Sequence, residues 1–271
     1  MTAGVRVAAF AALLAAIFVV TVIAGRAAGP TTVAGVDAGG HAADGGAQQH
    51  AAPADAGAPQ LRVVAANTRF TPGRAQRLSF EIQGAAGARV RDFEVEQGRR
   101  MHLIVVRRDL RRFQHLHPRQ DAAGRWSVEL TLPDAGVYQA FADFRTGGAR
   151  HALGTDLFAA GRFEPLALPA ASDAASADGY DVALHAHGGE LGFTVRRDGA
   201  AVTDLQPYLG ASGHLVMLRA GDLAYEHVHP LAGAKLAFDT SAAGPGTYRL
   251  FLQFRHADRI HTVAFTREVT G

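Results

Sequence analysis

Eight histidines in this 271-residue chain fall into two sets of four with matching spacing. His102, His115 and His117 recur 112 residues later as His214, His227 and His229, and His151 recurs 110 residues later as His261. Histidine is 13 of 271 residues, about one in twenty, so four matches out of four are not a coincidence of composition. Neutral imidazole is a ligand for copper, zinc and nickel, and three or four nitrogens without sulfur suit Cu(II) or Zn(II). The chain has no cysteine. A blue-copper centre, which needs a thiolate beside its two histidines, is therefore excluded, as are disulfides, thiolate zinc sites and a catalytic thiol. The expected ligands are His102, His115, His117, His151, His214, His227, His229 and His261, taking copper as Cu(II), with zinc as the other candidate. The competing reading is that these imidazoles are hydrogen-bonded packing groups or pH-responsive ones. His185 and His187 add a His-x-His that has no repeat partner, and Met101 and Met217 occupy different repeat positions and read as core.

The elements that must hold these residues are themselves duplicated. Met101-His102-Leu103-Ile104-Val105-Val106 is answered by Gly213-His214-Leu215-Val216-Met217-Leu218, and Phe113-Gln114-His115-Leu116-His117-Pro118 by Tyr225-Glu226-His227-Val228-His229-Pro230. Gly136-Val137-Tyr138 is answered by Gly246-Thr247-Tyr248. Repeats at 60–165 and 175–271 follow, joined by a linker at 166–174. In the first, short apolar runs near 61–66, 77–83, 89–96, 101–107, 112–117, 126–132, 137–144 and 150–158, separated by Gly, Pro and Asp turns, predict a β-sandwich. A hairpin turning at Asp109-Leu110 pairs residues whose numbers sum to 219, setting His102 opposite His117 with His115 on the same face. The same geometry pairs His214 with His229. Asp134 to Tyr138 and Gly244 to Tyr248 resemble the tyrosine corner of immunoglobulin-like domains. In that topology His151, opening the last strand, is expected to join the other three imidazoles at one tip of its domain, where binding sites are normally carried.

The strings from His214 through Pro230, with Gly246-Thr247-Tyr248-Arg249-Leu250-Phe251, resemble a group of bacterial exported proteins described as YtkA-like or heavy-metal-associated. The resemblance spans both repeats. It implies an extracytoplasmic all-β chain of two tandem immunoglobulin- or cupredoxin-like sandwiches and a link to metal handling.

Val7 to Gly25 carries no charge, and as a helix this run spans about 28 Å, the thickness of a hydrocarbon layer. Residues 1–26 are expected to form an uncleaved single-pass signal-anchor, with a cleaved signal segment as the alternative, and 27–59, rich in Ala, Gly and Asp, a flexible tether. Residues 27–271 would then lie outside the cytoplasm. Net charge is only +2, and the paired arginines are not interleaved with aromatics as on a nucleic-acid surface, so no nucleic-acid partner is expected. There is no His-Glu-x-x-His, Gly-x-Ser-x-Gly or P-loop motif, and no enzyme activity is expected. The sequence thus points to a membrane-tethered, extracytoplasmic metal-binding chain, the alternative being a non-metal adhesion or assembly module that binds an exported protein partner.

Overall fold

The computed structural model describes residues 61–231, 233 and 236–270, so the anchor expected at 1–26 and the tether at 27–59 lie outside the described residues. Among the described residues no helix is long and apolar enough to cross a membrane, which says nothing of a β-barrel.

The first repeat contributes β1 (Arg62–Ala65), β2 (Arg69–Phe70), β3 (Ala75–Gln83), β4 (His102–Arg107), β5 (Gln114–Leu116), β6 (Arg119–Gln120), β7 (Trp126–Thr131), β8 (Gly136–Thr146) and β9 (Ala149–Ala159). The second contributes β10 (Ala174–Ala177), β11 (Tyr180–His187), β12 (Glu190–Arg197), β13 (Ala200–Ala201), β14 (Gly213–Arg219), β15 (Tyr225–His227), β16 (His229–Pro230), β17 (Ala237–Asp239), β18 (Gly246–His256) and β19 (Arg259–Val269). Sheet β1-β3-β7-β6 faces sheet β2-β9-β8-β4-β5, and sheet β10-β11-β12-β17-β16, with β13 beside β12, faces sheet β15-β14-β18-β19. Two tandem β-sandwiches result. The stretch 89–96, expected as a strand, makes only isolated bridges, Gln83 with Arg89, Glu94 with Arg145 and Glu96 with Arg99. It buries Phe93 and packs Val90 against the first core, but its backbone forms no continuous ladder, and it ends in a turn at Gln97 and Gly98 where φ is positive.

Each sandwich has its own core. In the first, Leu78 and Phe80 of β3 and Trp126 of β7 pack on Leu103 of β4 and Tyr138 of β8; in the second, Leu215, Tyr248 and Phe254 are among the packed residues. Burying one such side chain stabilises the fold by roughly 1.5–3 kcal/mol.

A third core joins the sandwiches. All six residues of β4 are buried, because the face that does not look into its own sandwich covers the other repeat. Ile104, Val106 and Phe141 meet Val216, Leu218 and Phe251 there. These are repeat equivalents, 104 with 216, 106 with 218 and 141 with 251, so the seam is a pseudo-two-fold contact of one surface with its duplicate. Its aromatic pairs obey the same rule: Phe113 stacks on Phe251 at 4.2 Å, while Tyr225, the equivalent of Phe113, packs on Phe141, the equivalent of Phe251, at 5.4 Å. The connecting segment is tied down along the way, with Arg111 donating to the Ala167 carbonyl, Leu168 packed on the seam core and Ser172 N donating to the Thr266 carbonyl.

Candidate metal centre

β4 and β5 pair with Leu103 opposite Leu116 and Ile104 opposite His115, the register in which residue numbers sum to 219. Continued by one position, it places His102 across from His117, and their ring centroids are 5.1 Å apart. Because Ile104 faces the seam, His102, His115 and His117 face it too. One ring nitrogen from each of the three lies within 4.8 Å of the others. Across the seam His214, on β14, lies beside the group: its ring stacks on His102 with centroids 5.9 Å apart and lies 4.6 Å from that of His115.

The hydrogen bonds around His102 and His115 indicate which of their nitrogens carry protons. The Glu96 carbonyl accepts from His102 Nε2 at 3.2 Å, so the lone pair of neutral His102 sits on Nδ1. Gln253 Nε2 donates to Thr262 Oγ1 at 3.1 Å, leaving Gln253 Oε1 to accept from His115 Nδ1 at 2.7 Å. The lone pair of neutral His115 is then on Nε2. Those two lone-pair atoms, His102 Nδ1 and His115 Nε2, stand 2.9 Å apart. His117 Nε2 is also buried and has no hydrogen-bond partner. Lone pairs aimed at one another repel unless a proton or a metal cation lies between them. A proton held on His115 or His117 is disfavoured, since burial, with the neighbouring His102 adding to it, pushes His115 down to about 3, and burial likewise pushes His117 down to about 4. The groups that can bridge the pair are then a proton carried by His102 or a metal cation. With metal–nitrogen bonds of about 2.0–2.1 Å, ligand nitrogens are about 2.9 Å apart at a square-planar edge and about 3.4 Å at a tetrahedral one. The triad's spacing suits either after small rotamer adjustments.

The carboxylate of Asp143 lies opposite His102 in the β4–β8 register, is buried, and accepts from Tyr225 Oη at 2.7 Å. Complete burial and this carboxylate hold the Tyr225 hydroxyl far above its ordinary range, so it stays a donor. Asp143 is the repeat equivalent of Gln253. The site therefore has an amide on one side of the axis and an anion on the other, and the anion is suited to offset the charge of a bound cation.

One family profile, described as a domain of unknown function (DUF8832), matches the chain twice, over residues 57–160 and 175–271. The chain belongs to the DUF8832 family. No curated protein shows significant sequence similarity to it. Among solved structures, the Escherichia coli adhesin FdeC is 13% identical with a TM-score of 0.27, covering 79% of this chain and 66% of its own. Invasin, a bacterial integrin-binding protein, is 13% identical at 0.22, covering 76% and 39%, and titin A168–A169 is 9% identical at 0.23, covering 79% and 99%. The chain thus spans less than two thirds of the length of the two bacterial proteins. Likenesses at such scores carry no argument about the DUF8832 chain, whose two sandwiches are read from its own sheets. The YtkA-like or heavy-metal-associated kinship is not among the matches; two DUF8832 repeats are.

The remaining histidines of the DUF8832 repeats divide by strand parity. His151 was expected at the tip beside the triad, but it pairs with Phe144, a residue of the internal core, and its ring lies tilted against that ring with centroids 5.4 Å apart. His102 pairs with Asp143, one residue earlier, so the cluster face carries Ala152 at this point and His151 looks the other way. His261 departs from expectation for the same reason. It pairs with Phe254, packs on Tyr180 at 4.4 Å, and meets the Asp178 carboxylate at 3.2 Å and the His256 carbonyl at 3.3 Å. His229 is exposed, and its Nε2 meets the guanidinium of Arg150, which is also ion-paired with Glu96. His227 pairs with Val216 in the β14–β15 register, and its side chain lies outside the described ones. Two separate, equivalent four-histidine sites are therefore not what the fold builds. His185, exposed, meets Thr194 Oγ1 at 3.0 Å on the far sheet. The contributors that sequence reasoning missed are Gln253, Asp143 and Glu96. The first two are repeat equivalents buried within otherwise apolar strands, which was their available signal.

Proposed function

We propose that this chain binds a transition-metal ion, copper as Cu(II) or else zinc, at the histidine cluster between its two sandwiches. The observation that carries the reading is the convergence of His102 Nδ1 and His115 Nε2, two lone-pair atoms 2.9 Å apart whose tautomers are set by the Glu96 carbonyl and Gln253 Oε1. Outer acceptors of this kind orient histidine ligands and raise their basicity in metal sites. The buried Nε2 of His117 supplies a third donor. With nitrogen donors and no sulfur, the site would store or pass on an ion rather than carry electrons as a blue-copper protein does. The uncharged run from Val7 to Gly25 supports attachment to a membrane with the sandwiches outside the cytoplasm, and a YtkA-like, heavy-metal-associated role fits that placement. The reading includes no catalysis.

The test is copper and zinc titration of the purified chain, with isothermal calorimetry and metal analysis after dialysis. Tight binding that is lost in His102→Ala and His115→Ala, with the fold retained, supports the reading. A chain that binds neither ion would make these histidines packing groups and favour the module that binds an exported protein.

A further inference from the structure

The duplicated histidine spacing suggests two ions per chain, one for each repeat. The packing suggests otherwise. His117 belongs to the triad, but its repeat equivalent His229 is exposed and meets the guanidinium of Arg150, whose own repeat equivalent is Ile260. A guanidinium is charged at any working pH, so a second cation beside His229 would be repelled. The acceptor behind His115 comes from the other repeat, and so does the ring nearest to it, that of His214 at 4.6 Å.

Resting on the metal-binding reading, we propose that the two sandwiches share one ion per chain, held by His102, His115 and His117 of the first repeat and His214 of the second. Gln253 acts as a positioning residue that keeps His115 in its ligating tautomer. The duplication would then have produced a single composite site at the pseudo-two-fold axis, and the ion would fasten the seam. His214 is one of the few buried polar residues, and its ring is parallel to that of His102 within 13°. The three nitrogens of the triad already converge, and His214 would join them by turning its ring, which lies 4.6 Å from that of His115.

The experiment counts ions by native mass spectrometry of the whole chain titrated with Cu(II) and with Zn(II), alongside affinities from chelator competition. One ion per chain is expected, with affinity reduced at least tenfold in His214→Ala. Because His214→Ala also leaves a cavity at a buried position, Gln253 supplies an independent arm: Gln253→Met, close in shape but unable to accept a hydrogen bond, should lose about 10–100-fold in affinity, the usual effect of removing an outer partner. Gln253→Glu, which accepts the same proton, should restore it. A merely structural role for Gln253 would lower the melting temperature of the ion-free chain without this split between Met and Glu. Two tightly bound ions per chain, or affinity unchanged in both His214→Ala and Gln253→Met, would overturn the shared site and leave the metal reading standing. No binding by the parent chain would overturn both.

Discussion

His102 and His214 occupy the same position in the two repeats, and their rings lie parallel within 13° across the seam, centroids 5.9 Å apart. In a two-fold arrangement a residue can meet its own equivalent only near the axis. The stack therefore locates the pseudo-axis, and the phenylalanine and tyrosine pairs flank it once on each side. The seam has the form of a homodimer interface contained within one chain.

This form predicts cooperative unfolding. Phe251→Ala removes the ring stacked on Phe113 and should cost about 3–5 kcal/mol, the usual range for a buried phenylalanine. Phe251→Asp should go further and separate the two sandwiches. The chain has a single tryptophan, Trp126, in the first core, so its fluorescence reports on one sandwich while far-ultraviolet circular dichroism reports on both. Denaturant curves from the two probes should coincide in the parent and diverge in Phe251→Asp. Divergence already in the parent would show that the seam does not couple the domains.

Strand parity gives a second prediction. His151 and His261 face the internal cores, so His151→Ala and His261→Ala should leave metal affinity within about twofold of the parent. His261→Ala should still lower stability by about 2 kcal/mol, since it leaves a cavity beside Tyr180 and Phe254. Chelator competition and thermal melting together check this. A large loss of affinity in either variant, with the fold intact, would contradict the assignment of faces.

What could be read from the sequence divides along the same line. The hairpin register that sets His102 against His117 depends only on the turn at Asp109-Leu110, a local feature, and the repeat itself is written in the spacing. The face on which His151 lies depends on how β8 aligns with β4, where His102 meets Asp143 across forty residues of intervening chain. No turn fixes that register. The seam did leave a signal, because Leu103 to Val106 and Leu215 to Leu218 are unbroken apolar runs rather than alternating ones. That pattern marks a strand covered on both faces. Such a run shows that a face is covered and not by what; the second repeat as the cover emerges only from the tertiary packing.

The cluster should also make the ion-free chain acid-sensitive. Burial holds His115 at about 3 and His117 at about 4, both below the unfolded value near 6.5. As pH falls below 6.5 the unfolded chain takes up protons that the folded chain refuses, so stability present above pH 6.5 is lost progressively toward pH 3–4. In the presence of a chelator, the melting temperature should hold steady from pH 8 to 7 and fall between pH 6.5 and 4. In His115→Gln/His117→Gln the slope over that window should flatten. A parent curve that stays level from pH 7 to 4.5 would mean that these imidazoles are not held neutral by the fold.

The last prediction concerns the corners that begin β8 and β18. Tyr138 and Tyr248 are fully buried, and each hydroxyl donates at 3.0 Å to a backbone carbonyl four residues upstream, that of Asp134 and of Gly244. Tyr138→Phe and Tyr248→Phe each remove one hydrogen bond and leave a shielded carbonyl less well satisfied, costing about 1–1.5 kcal/mol. Because the two rings sit in separate cores, the double variant should lose about the sum. The preceding glycine is a harsher test. Gly136 has φ of +138° and Gly246 of +149°, and a Cβ on Gly136 would lie 2.6 Å from Phe163 Cδ2. Gly136→Ala should therefore destabilise the chain more than Tyr138→Phe does, since it combines an unfavourable backbone conformation with a steric clash. Urea denaturation of the four variants checks the order. If Gly136→Ala proved milder than Tyr138→Phe, the corner would owe its stability to the hydroxyl bond rather than to the approach that the glycine permits.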